Sequence, residues 1–389
     1  MLIEVLFLLL PLAALSGWWV ARKSYRKSSD NCNRDFSTNY ITGLNYLLNE
    51  QPDKAIDLFI QMLEVDNDTV ETHLALGSLF RKRGEVDRSI RIHQNLIARP
   101  TLTARQRSHA LYELAHDYMS AGLLDRSEAL FSDLAENDIH RASALRQLID
   151  IYQQEKEWNK AIIVAQKLAV KTNQDLNPLI AQYYCELAEQ AYRDGEPAKA
   201  LRLVKRALAT DRNCPRASIL EGDIEKDNGQ YKAAIKAYKR IEQQDAEYLP
   251  EIISSLLDCY RAVGKLDELI FYLKEVLAKH DSITIMLVLS DLIKQQKGDN
   301  AAAEFISDFL HHRPSVRGMD RLIDLNIKQA SESSKEKLQI LKDVTVQILK
   351  DNPVYQCTSC GFNAKSLHWQ CPGCKQWSTI KPIHGVEGE

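Results

Sequence analysis

The chain has 389 residues, with 50 Lys and Arg against 53 Asp and Glu, for a formal net charge of −3. That balance excludes the basic footprint of a nucleic-acid-binding protein. The 45% hydrophobic content supports a substantial core, while only 11 prolines and 15 glycines, and little strand-like alternation before residue 353, point to an all-α body.

Met1 to Val20 is apolar apart from Glu4, Pro11, Ser16 and Gly17. A helix of about twenty residues, rising about 1.5 Å per residue, just spans a hydrocarbon core. Trp18 and Trp19 stand where an interfacial aromatic belt would be, and Arg22, Lys23, Arg26 and Lys27 follow at once. A cleaved signal peptide carries its positive residues before the apolar run, not after it. The order found here predicts a single uncleaved transmembrane helix over 1–20 and a basic juxtamembrane linker over 21–35. The positive-inside rule puts the rest of the chain in the cytoplasm.

Residues 36–351 read as a repeat array. A small residue recurs at Gly43, Gly77, Ala115, Ile149 (a departure), Ala188, Gly222 and Leu257 (another), in steps of 34, 38, 34, 39, 34 and 35. Around it recur an aromatic three residues on (Tyr46, Phe80, Tyr118, Tyr152), turn glycines (Gly84, Gly122, Gly195, Gly229, Gly264) and second-helix positions such as Ala55, Phe59, Phe131, Ala161, Ala200 and Tyr238. This pattern resembles the tetratricopeptide repeat, and the resemblance covers roughly residues 36–312. It implies helix pairs stacked into a superhelical solenoid, the small residue letting two helices of a pair approach closely. The longer steps put extra residues in loops near Arg99-Pro100-Thr101 and Thr172 to Pro178. Gly298, Ala303 and Phe309 support an eighth, degenerate pair, and Leu322 to Leu349 reads as two more amphipathic helices divided near Ser331. Atypical end repeats are expected of a solenoid, whose last face has no neighbour.

First helices of such pairs line the concave side. In this register the groove positions are Arg81, Tyr112, His116, Met119, Arg146, Asp150, Glu189, Tyr192, Asp223 and Lys226. Their mixed charge with aromatic and Met side chains suits a protein or peptide partner. His116-Asp117 reads as groove lining and His311-His312 as a solvated helix end. There is no phosphate loop, no Gly-x-Ser-x-Gly and no His-Glu-x-x-His, so no enzyme activity is expected.

Pro353 stops the last helix. Cys357-Thr-Ser-Cys360 and Cys371-Pro-Gly-Cys374 then follow, ten residues apart, and can point four thiolates at one centre. A tetrahedral S₄ set of this kind takes zinc or iron. Gly361 and Pro372-Gly373 suit tight turns, and Tyr355, Phe362, Trp369 and Trp377 read as the small aromatic core of a metal ribbon over 353–380, with a tail over 381–389. So short a segment depends on the metal to fold. Cys32, Cys185, Cys214 and Cys259 are scattered and read as small buried hydrophobes.

Taken together, an N-terminal membrane helix, a tetratricopeptide array and a C-terminal Cys-x-x-Cys-Gly/Cys-Pro-x-Cys ribbon resemble the lipopolysaccharide assembly protein B family, end to end. The resemblance implies a non-enzymatic regulator at the bacterial inner membrane, associated with turnover of the LpxC deacetylase by the membrane protease FtsH and with other lipopolysaccharide assembly proteins. It also implies a rubredoxin-like ribbon with iron at Cys357, Cys360, Cys371 and Cys374. The ten residues between the pairs are far fewer than a rubredoxin has, which keeps zinc as the alternative metal. A scaffold for biosynthetic enzymes and an electron carrier are the alternative functions, and a homodimer is one option for assembly.

Overall fold

The computed structural model describes residues 18–19, 41–43, 45–46, 51–65, 70–136, 139–328 and 330–389. The expected membrane helix and basic linker lie outside these residues, apart from Trp18 and Trp19, which are helical and exposed. Among the described residues no helix is long and apolar enough to cross a membrane. The chain divides into two compact units, Met1–Glu155 and Lys156–Glu389.

Both units are built from antiparallel helix pairs. In the first, Pro52–Val65 packs on Val70–Lys82, which pairs with Val86–Ile97, and Ala104–Ser120 pairs with Leu124–Glu136 before Arg141–Gln154. In the second, Asn177–Arg193 pairs with Pro197–Thr210, Pro215–Asp227 with Tyr231–Lys239, and Leu249–Val263 with Leu266–His280. Ile283–Lys297 then pairs with Asp299–His312, and Val316–Ile327 with Glu332–Asp351, matching the two helices expected on either side of Ser331. The second unit begins with Trp158–Thr172.

Local chemistry explains the boundaries. Thr103 and Gln106 form a reciprocal capping box at the start of Ala104–Ser120. Ser282 and Ser315 cap their helices by accepting from the Ile285 and Gly318 amides. Pro197, Pro215 and Pro250 occupy first-turn positions, where a missing N–H costs nothing. The turn register that holds Gly84, Gly122, Gly195, Gly229 and Gly264 at positive φ holds Lys156 at φ 58.

The pairing register is equally physical. A methyl group on Gly77 would meet the His93 ring at 2.3 Å, on Gly43 the Phe59 ring at 2.6 Å, and on Gly222 the Tyr238 ring at 2.3 Å. Each glycine lies sixteen residues before its ring, so one helix of the pair receives an aromatic of the other directly against its backbone. Deeper in the second unit, one apolar core runs from Ala234 to Leu325 through Tyr248, Ile252, Leu273, Met286 and Ile306.

The ribbon closes the chain. Its three short strands, β1 (Tyr355–Cys357), β2 (Asn363–Ala364) and β3 (Ile380–Pro382), form an antiparallel sheet in the order β2-β1-β3. Cys357 stands opposite Ile380.

Candidate metal centre

The two cysteine pairs fold into matching knuckles fourteen residues apart. The Gly361 amide donates to the Cys357 carbonyl at 2.9 Å, and the Lys375 amide to the Cys371 carbonyl at 2.9 Å. The Cys357 amide donates to Phe362 O and the Cys371 amide to Gln376 O, each at 2.8 Å. Both turns need a left-handed residue after the second cysteine, supplied by Gly361 at φ 75 and by Lys375 at φ 60.

These turns bring all four Sγ atoms within 4.8 Å of one another. Cys357 and Cys374 are 3.8 Å apart and Cys360 and Cys371 3.6 Å apart. A tetrahedron of thiolates around an ion with metal–sulfur bonds of about 2.3 Å has edges of about 3.8 Å, so the four sulfurs fit a single S₄-bound ion. Burial, the largest influence on Cys357, opposes its ionisation. The Thr379 hydroxyl and the amides of Cys360 and Ser359 outweigh burial and draw the thiol down to about 6. Cys357 and Cys371 are buried, Cys374 is half-buried and Cys360 is exposed, so one edge of the centre faces solvent.

The ribbon's own core is small: Cys357, Cys371 and Ile380 are buried together, with Tyr355, Leu367 and Cys374 packed against them. Of the aromatic residues expected to form it, Tyr355 does so in part, and the two tryptophans turn to the repeats instead. Trp377 stands edge-on to Trp158 and Tyr183, each with ring centres 6.1 Å away, and Trp369 lies 5.0 Å from the Tyr248 ring. Tyr355 donates its hydroxyl to Glu251 at 2.5 Å, while Phe362 is exposed. Where an ion would supply the ribbon's cohesion, its large rings are released to bind the repeats. Leu367 and Trp369 join the edge of the helical core. The tryptophans therefore seat on Trp158–Thr172 and the first helix pairs of the second unit, while Lys365 and residues 386–389 reach the last pair at Lys350, Val316 and Arg317.

Arg216 is the centre of this seat. It is 2% exposed, its guanidinium carbon is 5.8 Å from the Trp369 ring centre and 5.6 Å from that of Trp377, and it bonds Glu186 and Glu189 at 2.7 Å each. Burial, the largest influence, opposes its charge, but Glu189 and Glu186 raise its pKa. Around it, Gln182 Nε2 donates to Ser378 Oγ at 3.1 Å, and Tyr248 donates to Ile380 O at 3.2 Å. Lys381 pairs with Asp245 and lies 4.0 Å from the Tyr248 ring centre.

Residues 381–389 were expected as a tail, but Lys381 and Pro382 belong to β3 and the chain beyond is held. Glu389 is 7% exposed. Its carboxylate accepts from Ser282, from the Thr284 amide at 3.0 Å and hydroxyl at 2.7 Å, and from Arg317 at 2.8 Å. Desolvation, the largest influence, raises its pKa, yet these donors leave the group below its usual range.

The groove positions divide. In the first unit, Arg81 does not reach into open space: it bonds Glu113 at 2.6 Å and Asp117 at 2.7 Å. Asp117 is fully buried, not groove lining, and also receives Ser89 Oγ at 2.6 Å and lies 2.5 Å from His93 Nδ1. Tyr112 and His116 form an aromatic shelf with Phe131 and His140, the Tyr112 and His140 rings stacking at 5.1 Å, with Met119 half-buried along the same helix. Arg146 and Asp150 are exposed. In the second unit, Glu189 is engaged by Arg216 under the ribbon. Tyr192 donates to Asp227, Asp223 accepts from Tyr238 at 2.6 Å, and Lys226 donates to Ser255 at 2.9 Å.

The seat residues Gln182 and Arg216 escaped the sequence reading, though a signal was present. They fall six residues before the small residues Ala188 and Gly222, a register that also holds Glu71 and His109. A polar residue recurring there marks a further inner-face row.

Comparison with known proteins follows the same boundaries. Residues 355–382 match the family described as rubredoxin metal binding domain, and residues 72–106 and 185–248 match tetratricopeptide repeat families. Lipopolysaccharide assembly protein B of Escherichia coli strain K12 is 42% identical over 390 residues, covering 100% of both chains. The protein of the same name from Haemophilus influenzae is 37% identical, covering 99% of this chain and 100% of its own. With helix pairs, ribbon and full-length identity in agreement, the chain belongs to the lipopolysaccharide assembly protein B family.

Proposed function

We propose that this chain is a non-enzymatic regulator of lipopolysaccharide synthesis, tethered to the bacterial inner membrane by residues 1–20, with the repeats and ribbon in the cytoplasm. In this reading its repeats bind the LpxC deacetylase and present it to the membrane protease FtsH. The observation that carries the reading is the end-to-end identity with relatives named for lipopolysaccharide assembly. Confinement to the membrane plane would raise the effective concentration of adaptor and protease for each other.

On the second unit's inner face the ribbon lies over Gln182 and Arg216, and Glu189, Tyr192, Asp223 and Lys226 are engaged by other side chains, so partner binding is assigned to the first unit. Its aromatic shelf of Tyr112, His116 and His140, with exposed Arg146 and Asp150 further along, offers ring and charge contacts. The metal, held by Cys357, Cys360, Cys371 and Cys374, would act as a staple that keeps the ribbon folded on its seat. The exposed edge at Cys360 favours electron transfer as a second reading. Iron would support it and zinc would not.

The deciding experiment is the half-life of LpxC in cells carrying the full chain, the chain lacking 1–20, or none. Normal turnover with the truncated chain at normal abundance rejects the tethered adaptor. Replacing iron with redox-inert zinc separates the two metal roles: preserved regulation supports the staple, and lost regulation with preserved fold and binding supports electron transfer.

A further inference from the structure

Two thiols face each other on the repeat side of the ribbon seat. Cys185 Sγ, on Asn177–Arg193, lies 4.0 Å from Cys214 Sγ, at the N-terminal cap of Pro215–Asp227. They are 0% and 1% exposed. A disulfide needs its sulfurs at about 2.05 Å, so closure asks for about 2 Å of approach, a matter of side-chain rotation and a small shift at a helix start. Filling space with small apolar side chains would not require the two sulfurs to meet.

Their electrostatic settings differ. The hydrogen bond from Cys185, above all, lowers the pKa of Cys214, against burial and with help from the Ala217 amide and Arg216. Burial, followed by the bond to Cys214, pushes Cys185 well up. That is the division between an attacking thiolate and a resolving thiol.

The pair is wired to the ribbon through one amide. Gln182 Nε2 donates both to Cys214 Sγ at 3.5 Å and to Ser378 Oγ of the ribbon at 3.1 Å, and Gln182 Oε1 accepts from Arg216 at 3.3 Å. Arg216, two residues beyond Cys214, is the residue lying against Trp369 and Trp377. The seated ribbon therefore lies one hydrogen-bonded side chain away from the thiols, on the side that Gln182 and Arg216 present to it.

We propose that Cys185 and Cys214 form a peroxide-oxidisable dithiol shielded by the seated ribbon, so that their disulfide records ribbon release. The Cys214 thiolate attacks one oxygen of a peroxide ROOH. The O–O bond breaks, Cys214 becomes a sulfenic acid, and RO⁻ takes up the former thiol proton as ROH. The Cys185 sulfur then attacks the Cys214 sulfur, the S–O bond breaks, and the leaving hydroxide takes the Cys185 proton as water. Two thiols lose two electrons and the peroxide gains them. The new bond draws the start of Pro215–Asp227 toward Cys185 and displaces Arg216, so the oxidised chain cannot reseat its ribbon until a thiol reductant restores the pair.

The test treats the metal-loaded full chain with hydrogen peroxide and maps disulfides by mass spectrometry of unreduced fragments. Trp377→Ala, confirmed to hold as much metal as the wild type, should form the 185–214 link about tenfold faster, because local opening of the seat is easier. Cys185→Ser should form no link and leave a dimedone-trappable sulfenic acid on Cys214. Equal linking rates in the wild type and Trp377→Ala overturn the shielding, and no link in either overturns the dithiol. Should Trp377→Ala lose its helical signal, Tyr248→Phe removes only the hydroxyl donated to the ribbon; unchanged linking there overturns the proposal equally.

Discussion

The guanidinium of Arg216 lies 5.6 Å from the ring centre of Trp377, joining a residue of the repeats to one of the ribbon, with Arg216 2% exposed. Arg216→Ala should therefore unseat the ribbon and leave Glu186 and Glu189 without their buried cation. Both carboxylates retain some solvent, so the cost should be about 2–3 kcal/mol rather than that of a fully buried orphan charge. Denaturant unfolding measures it, and unchanged metal content with red-shifted tryptophan fluorescence would show an unseated but intact ribbon. Wild-type stability and fluorescence would refute this role.

Within the metal centre, Cys371→Ser and Cys360→Ser should both reduce retention from about one ion per chain, as any broken S₄ set must. The buried position should matter more, because serine at Cys371 leaves a hydroxyl in the ribbon's small core, whereas Cys360 faces water. Metal-to-protein ratios after dialysis against a chelator give the order. Equal retention by both variants and the wild type would contradict the tetrathiolate assignment.

Two glycines should fail for different reasons. Gly77→Ala would drive a methyl group to 2.3 Å from His93 Nε2, and His93 cannot retreat because it is buried against Asp117. Overpacking costs about 1–3 kcal/mol and outweighs the helix-propensity gain of up to about 1 kcal/mol. Gly84→Ala meets nothing within 4 Å, so only its φ of 86 opposes alanine, at about 1–2 kcal/mol. Truncating the ring with His93→Ala should relieve the clash in Gly77→Ala but not the strain in Gly84→Ala, as a double-mutant cycle would reveal.

The first unit should weaken in acid in two stages. His116 is depressed chiefly by burial and then by Arg81, so its contribution is complete above the unfolded value of 6.5 and is lost as pH falls below it. Glu113 is lowered by Arg81 and Ser78 despite desolvation, the largest influence on it. Its stabilisation is present above the unfolded value of 4.5 and disappears as pH falls through the depressed folded value. Glu113→Gln should accordingly lower the urea midpoint at pH 7, and the gap should narrow as pH falls below 4.5 and close below the depressed folded value. A penalty for Glu113→Gln that does not shrink in acid would argue against this linkage.

Much of this architecture could be read from residue spacing, because periodicity directly reports which face is buried. Gly77, Ala115, Ala188 and Gly222 mark helix contacts, and the cysteine spacing anticipates the knuckles. What spacing could not convey was where the ribbon would land. Trp369 and Trp377 read equally well as an inner core, and only their separation from Cys357, Cys371 and Ile380 in space reveals that they face outward. Arg81 and Glu189 make a related point: an inner-face position says which way a side chain points, not whether a carboxylate or guanidinium from the next pair already holds it.

Glu389→Ala should loosen the end of the chain by about 2–3 kcal/mol, since Ser282, Thr284 and Arg317 lose a shared charged acceptor. Hydrogen exchange at residues 380–389 would report the loosening. Glu389→Gln should recover part of the protection through hydrogen bonding alone, and wild-type protection in Glu389→Ala would remove Glu389 from the clasp.

That clasp ties the ribbon to the repeats at a second place. A main-chain oxygen of Glu389 accepts from Arg313 at 2.8 Å and its side chain is buried. Trp369 and Trp377 hold the knuckles against Tyr248, Trp158 and Tyr183, well apart in sequence from Ser282, Arg313 and Arg317. A ribbon whose rings came off their seat would still be leashed at its far end, and its return would be an intramolecular search at high effective concentration.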